Sequence, residues 1–208
     1  MGLNAEQIET AVASVAERDA HVRDGLRAVG LPEPRIGEPG FPSLLRVMVA
    51  QQLSVKAAAT IWARLEALLA DVTPETLLAH SDDALRGAGL SRQKAAYART
   101  LAEASASGAL DFAAIAGLSD EDAVAEISAV KGFGRWSAEI YLMFCEGRPD
   151  LMPAADLGLQ AGLQRLKGLE TRPTAKDMPA LVEPWRPHRS AMALFLWHYY
   201  AKTAAPVG

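Results

Sequence analysis

With 208 residues, half of them apolar, the chain can bury the core of one or two domains, and no apolar run approaches the ~20 residues of a membrane span. Cys145 is the only cysteine, which excludes an internal disulfide and any four-cysteine zinc or iron–sulfur site. The formal net charge of −4 counts mildly against nucleic acid, but it is uneven: residues 1–40 hold four basic and seven acidic side chains, and residues 149–208 hold seven basic and five acidic.

The first ten residues are polar with acidic side chains, unlike a secretory signal, so a cytoplasmic protein is expected, nucleoid-associated if bacterial. No run of alternating β-branched residues appears, and the reading is all-α. Asn4 suits the cap of a first helix from about Ala5, and Gly30 closes that region. Residues 31–40, with three prolines and two glycines, form a linker. Pro42 fits the first turn of a helix to about Gln52, with Leu44, Leu45, Met48 and Val49 on its apolar face. Helices follow at about 54–70, 74–79, 82–88 and 92–107, the last three behind the caps Thr73, Ser81 and Ser91. Ser119 and Asp122 open another, through about Ser128. Then come a glycine hairpin, a helix from Arg135 to Cys145 stopped by Gly147 and Pro149, and a helix from near Asp156 to Leu166. A final helix, about 189–202, is apolar nearly all round.

The hairpin is the segment Val130-Lys131-Gly132-Phe133-Gly134-Arg135-Trp136. Two glycines one residue apart between helical patterns make a tight turn with bare amides at a helix N-terminus, a place that suits a phosphate. The same spacing also fits an ordinary helical turn with a glycine C-cap. Downstream, Asp156 opens a helix. It reads equally as an N-cap and as a carboxylate facing a reacting group.

The block Met152-Pro153-Ala154-Ala155-Asp156-Leu157-Gly158-Leu159-Gln160 resembles the active-site segment of the helix-hairpin-helix DNA glycosylase superfamily, most closely its 3-methyladenine DNA glycosylase II branch. Three further segments resemble the same family in order: Phe41 to Arg46 leading into Val49-Ala50-Gln51-Gln52-Leu53-Ser54, then Leu90 to Ala95, then Pro184 to Ser190 through Trp197-His198. The resemblance covers roughly residues 40–200.

It implies a two-lobed helical fold with the active-site cleft between lobes, residues 41–148 forming one and residues 1–40 plus 149–208 the other. It makes Asp156 the essential aspartate. Trp136, Trp197 and Phe41 fall at the base pocket, and Gln52 or Leu53 falls on the wedge that fills the gap left by a flipped base. Lys131, Gly132, Phe133, Gly134 and Arg135 fall on the DNA backbone. It implies no cofactor for catalysis, and Na+ or K+ held by the carbonyls of Ser128, Val130 and Phe133. Lyase-competent relatives place a lysine where this chain has Trp136, so a Schiff base to the sugar is not expected. Arg92, Lys94 and Arg189 stand as phosphate contacts or as solvated side chains, and both tryptophans also fit plain core positions.

The implied activity is monofunctional excision of alkylated purines from double-stranded DNA by a monomer, leaving an abasic site. A relative acting on an oxidised or mismatched base, and a non-catalytic DNA-binding helical module, are the alternatives.

Overall fold

A computed structural model describes residues 2–203, and every regular element among them is helical. α1 (Ala5–Arg18) and α2 (Ala20–Val29) fill the region that Asn4 opens and Gly30 closes. Asp19 divides them: its extended backbone ends α1, and its carboxylate accepts the amides of His21 and Val22 to cap α2. After the proline-rich linker come α3 (Phe41–Ala50), α4 (Val55–Leu69), α5 (Pro74–Ala79), α6 (Asp82–Gly87) and α7 (Arg92–Ala106), close to their expected bounds. Ser54, Thr73, Ser81 and Ser91 each accept an amide of the turn they start. Each such cap is worth about 1 kcal/mol.

α8 (Phe112–Ile115), capped by Asp111, was not expected from the sequence. α9 (Asp120–Ala129) starts at Ser119, which accepts the Asp122 amide and donates its hydroxyl to the Asp122 carboxylate. α10 (Arg135–Tyr141) stops short of Cys145, because residues Leu142–Glu146 widen into a π-helical turn. α11 (Leu157–Lys167), the unexpected α12 (Met178–Val182) and α13 (Arg189–Thr203) complete the order.

The chain divides into two compact units. The described residues of Met1–Gly37 and Leu142–Gly208 form one, and Glu38–Tyr141 forms the other. The expected boundary at 148 is therefore corrected to 141. The reason lies in the π-helical turn: the Phe144 carbonyl accepts the Gly37 amide at 2.8 Å, and the Phe144 ring meets Trp197 at 5.9 Å. Residues 38–40 leave the linker for the other unit, where the Gly40 amide donates to the Tyr141 hydroxyl at 2.8 Å.

In Glu38–Tyr141, α3 packs on α4, α7 and α10, while α5 and α6 pack on α7 and α9 packs on α10. Leu44, Leu45, Met48 and Val49 are at most 1% exposed, as their spacing on α3 requires. Burial of each contributes about 1.5–3 kcal/mol.

In the other unit, α11 packs on α13 and α2, and α1 packs on α2 and α13. Ile8, Val12 and Val15 form the sealed stripe of α1. A Cβ at Gly162 would stand 2.7 Å from the Leu196 carbonyl oxygen, so α11 and α13 approach backbone to backbone. α13 is buried from Ser190 to Leu196 but only half-buried from Trp197 to Tyr200, and its last turn is exposed.

Candidate functional site

Asp156 sits at the start of α11, where the chain turns through Pro153: the Asp156 amide donates to the Pro153 carbonyl at 2.9 Å. Its carboxylate does cap the helix. The Leu159 amide donates to Oδ1 at 2.9 Å. The Trp197 indole, from α13, donates to the same oxygen at 3.0 Å. The cap is thus observed, and the carboxylate's orientation is set by one local and one distant donor.

Further contacts fix the frame. Buried Gln160 donates to the Ala154 carbonyl at 2.9 Å, bracing the turn. Upstream, Arg189 pairs with Asp150 at 2.8 Å, and the Ser190 hydroxyl exchanges hydrogen bonds with Leu151. Arg189 is therefore a structural ion pair that ties the approach to Asp156 onto the start of α13, and not a phosphate contact. Gly158 completes the fit, since a Cβ there would lie 3.1 Å from Asp156 Oδ1 and 3.2 Å from Trp197 Cδ1.

Sequence reasoning missed Arg35 entirely. Its guanidinium lies 5.3 Å from the centre of the Trp197 ring and 5.9 Å from that of Phe144. Partial burial of the group pulls its pKa below the ordinary arginine value, and the nearby Asp156 carboxylate opposes that shift. Nothing in a Pro- and Gly-punctuated linker marks such a residue.

In the unit Glu38–Tyr141, the hairpin is built largely from main chain. Gly132 has φ of +100°, and a Cβ there would stand 2.3 Å from the Tyr97 ring, so only glycine fits. Gly134 is different. Its φ lies outside the left-handed region, it is exposed, and nothing stands within 4 Å of a Cβ placed on it. Its role is therefore open access to the backbone, and the dihedral freedom expected of both glycines is needed only at Gly132. Lys131 is exposed beside it.

Phe133 and Arg135 are corrected. The Phe133 ring is 3% exposed, and its amide donates to the Val130 carbonyl at 3.1 Å. The Arg135 guanidinium grips both oxygens of Glu121, at 2.6 and 2.9 Å, and bonds Glu139 at 3.0 Å. The hydrogen bond to Glu121 leads in raising its pKa above the ordinary arginine value, burial opposes, and Glu139 adds to the rise. Its charge is spent on two carboxylates, so it does not bring a free cation to a phosphate. At the C-terminal end of α9, the buried Ser128 hydroxyl oxygen has no hydrogen-bond partner among the described residues. The Val130 carbonyl, with one lone pair taken by Phe133, keeps a second. Both are oxygen donors, the ligand type that a hard monovalent cation takes.

The loop expected to carry the wedge follows the end of α3. Gln52 adopts a left-handed φ of +56°, and both it and the following side chains face solvent: Leu53 is 39% and Val55 89% exposed. Beneath it, Lys94 donates to the carbonyls of Val49 and Gln51, both at 2.7 Å. Gln51 in turn donates to the Gly132 carbonyl at 3.1 Å and the Ser137 hydroxyl at 2.9 Å. Lys94 is thus a strut under this loop and not a phosphate contact, and Gln51 ties the loop to the hairpin. Burial pulls the Lys94 pKa below its ordinary value. Phe41 is buried at the first residue of α3, and Trp136 is half-buried on α10.

Residues 45–187 match the family model described as the HhH-GPD superfamily base excision DNA repair protein. The chain is 32% identical to DNA-3-methyladenine glycosylase 1 of Schizosaccharomyces pombe, over 95% of this chain and 92% of that one. Among solved structures, it is similar to the Schizosaccharomyces pombe 3-methyladenine DNA glycosylase Mag1 in complex with abasic DNA, at a TM-score of 0.84 and 30% identity, covering 90% of this chain and 95% of that one. It is also similar to a DNA-3-methyladenine glycosidase from Bacillus halodurans, at 0.78 and 34%, covering 91% and 88%.

Proposed function

The chain belongs to the helix-hairpin-helix superfamily of base excision DNA repair proteins, and from that premise we propose a DNA glycosylase that excises alkylated purines, of the 3-methyladenine and 7-methylguanine type, from double-stranded DNA. The observation that carries this reading is the carboxylate of Asp156, oriented through Oδ1 by the Leu159 amide and the Trp197 indole.

The bond between base and sugar is out of reach inside a duplex. The nucleotide must leave the stack at a cost of a few kcal/mol. Gln52 and Leu53, presented on an exposed loop, fill the space it leaves. Alkylation at a ring nitrogen makes the base cationic and a ready leaving group. The half-buried ring of Trp136 attracts it by about 0.5–2 kcal/mol. As the bond breaks, the sugar acquires oxocarbenium character. The negative charge of Asp156 stabilises it and orients or deprotonates the attacking water.

Gly134 and its neighbours at the start of α10 receive the DNA phosphate on main-chain amides, with Lys131 beside them. The carbonyls of Ser128, Val130 and Phe133 would hold Na+ or K+, which supplies positive charge toward that phosphate. With Trp136 in place of a lysine, no amine attacks the sugar, and the strand is left intact. The enzyme acts as a monomer.

The test is chromatography of bases released from methylated DNA. The wild type releases 3-methyladenine and 7-methylguanine, and Asp156→Asn lowers the rate by about 100-fold or more. A wild type that binds DNA and releases no base overturns the reading and leaves a DNA-binding module.

A further inference from the structure

A cation of the protein itself stands on the ring that holds the candidate catalytic carboxylate. Arg35 lies 5.3 Å from the centre of the Trp197 ring, and Trp197 holds Asp156 Oδ1 at 3.0 Å. A second ring, Phe144, lies 5.9 Å from the same guanidinium, and the two rings are tilted by 53° to one another. The backbone that delivers Arg35 is held too. Two residues on, the Gly37 amide donates to the Phe144 carbonyl at 2.8 Å. At Gly2 a Cβ would lie 2.6 Å from the Phe144 carbonyl oxygen and 2.7 Å from that of Arg35. The guanidinium is therefore placed against an aromatic pair by a pinned segment, although the residue as a whole is exposed.

Its position has a chemical consequence. A cation–π contact on Trp197 is already made, by a group that is always charged. Any second positive charge brought to Asp156, whether a sugar with oxocarbenium character or a cationic base, meets a resident like charge. A neutral nucleotide pays no such penalty.

We propose that Arg35 is a specificity-determining residue: resting on Trp197 beside Asp156, its guanidinium lowers the site's preference for cationic over neutral nucleotides. This rests on the reading of Asp156 as the carboxylate that faces the sugar. It makes the enzyme more even-handed between charged and uncharged lesions than the carboxylate and rings alone would be.

The experiment measures dissociation constants for two duplexes. One carries a pyrrolidine abasic analogue, a protonated amine in the sugar ring, and the other carries neutral tetrahydrofuran. Arg35→Met removes the charge and keeps the aliphatic stem, whereas Arg35→Lys keeps the charge. The pyrrolidine-over-tetrahydrofuran preference is expected to rise by about tenfold in Arg35→Met, the scale of a like-charge interaction over several ångströms in a partly solvated site. It stays within about twofold of wild type in Arg35→Lys.

An unchanged ratio in Arg35→Met overturns the proposal. So does equal weakening of both duplexes, which makes Arg35 a phosphate contact. Arg35→Gln carries the same comparison if Arg35→Met does not fold. Release of 7-methylguanine by the wild type is assayed alongside. Its absence sinks the glycosylase reading, whereas an active wild type with an unmoved ratio sinks only the role of Arg35.

Discussion

Around Asp156 the fixed groups are mostly side chains: a carboxylate, an indole that donates to it, and a guanidinium on that indole's ring. Around Gly132 they are mostly main chain: a glycine amide turn, a carbonyl gripped by Gln51, and two more carbonyls gripped by Lys94. The first arrangement suits stabilising a charge that develops during a reaction, because charged side chains act strongly where solvent is partly excluded. The second suits a partner that is itself a repeating backbone, recognised by position and not by identity. The uneven acidic charge of the chain is compatible with this division, since amides and a few placed cations need no broadly basic surface.

Three substitutions sharpen the contrast. The largest effect is expected at the main-chain frame, where Gly132→Ala sets a methyl into the Tyr97 ring at a left-handed φ of +100°. Stability measured in urea should fall by about 3 kcal/mol or more. A loss below about 0.5 kcal/mol would mean the turn rearranges freely, and the rigid-frame description would fail.

Next, Trp197→Phe keeps a ring and deletes one donor to Asp156. Single-turnover base release should drop by about 10–100-fold while the melting temperature changes little, as the loss of one charge-assisted hydrogen bond requires. A parallel collapse of stability would make the indole a core residue after all. The smallest effect belongs to Lys94→Met, which preserves the stem and removes two hydrogen bonds to the Val49 and Gln51 carbonyls. A destabilisation of about 1–2 kcal/mol is expected by denaturant titration, with relief of the buried charge offsetting part of the loss.

The legible part of the sequence was local. Asn4, Thr73, Ser81, Ser91 and Ser119 mark helix starts because a cap needs only an oxygen two or three residues before its amide. The apolar face of α3 could be read for the same reason. What escaped was non-local or too short. α8 and α12 span too few residues to show a helical period. The fate of the Arg135 charge depends on Glu121, fourteen residues back, as well as on Glu139 one turn on. Lys94 reads as a surface cation until α7 is packed against α3. One missed signal was present: Gly158 and Gly162 lie one turn apart on α11, where α13 approaches closely, and that spacing marks a face without side chains.

Gly2 has a practical corollary. A Cβ placed there would collide with two carbonyl oxygens, one belonging to Phe144 and the other to Arg35. Any side chain introduced at Gly2 must therefore push aside the main chain that seats the guanidinium on its ring.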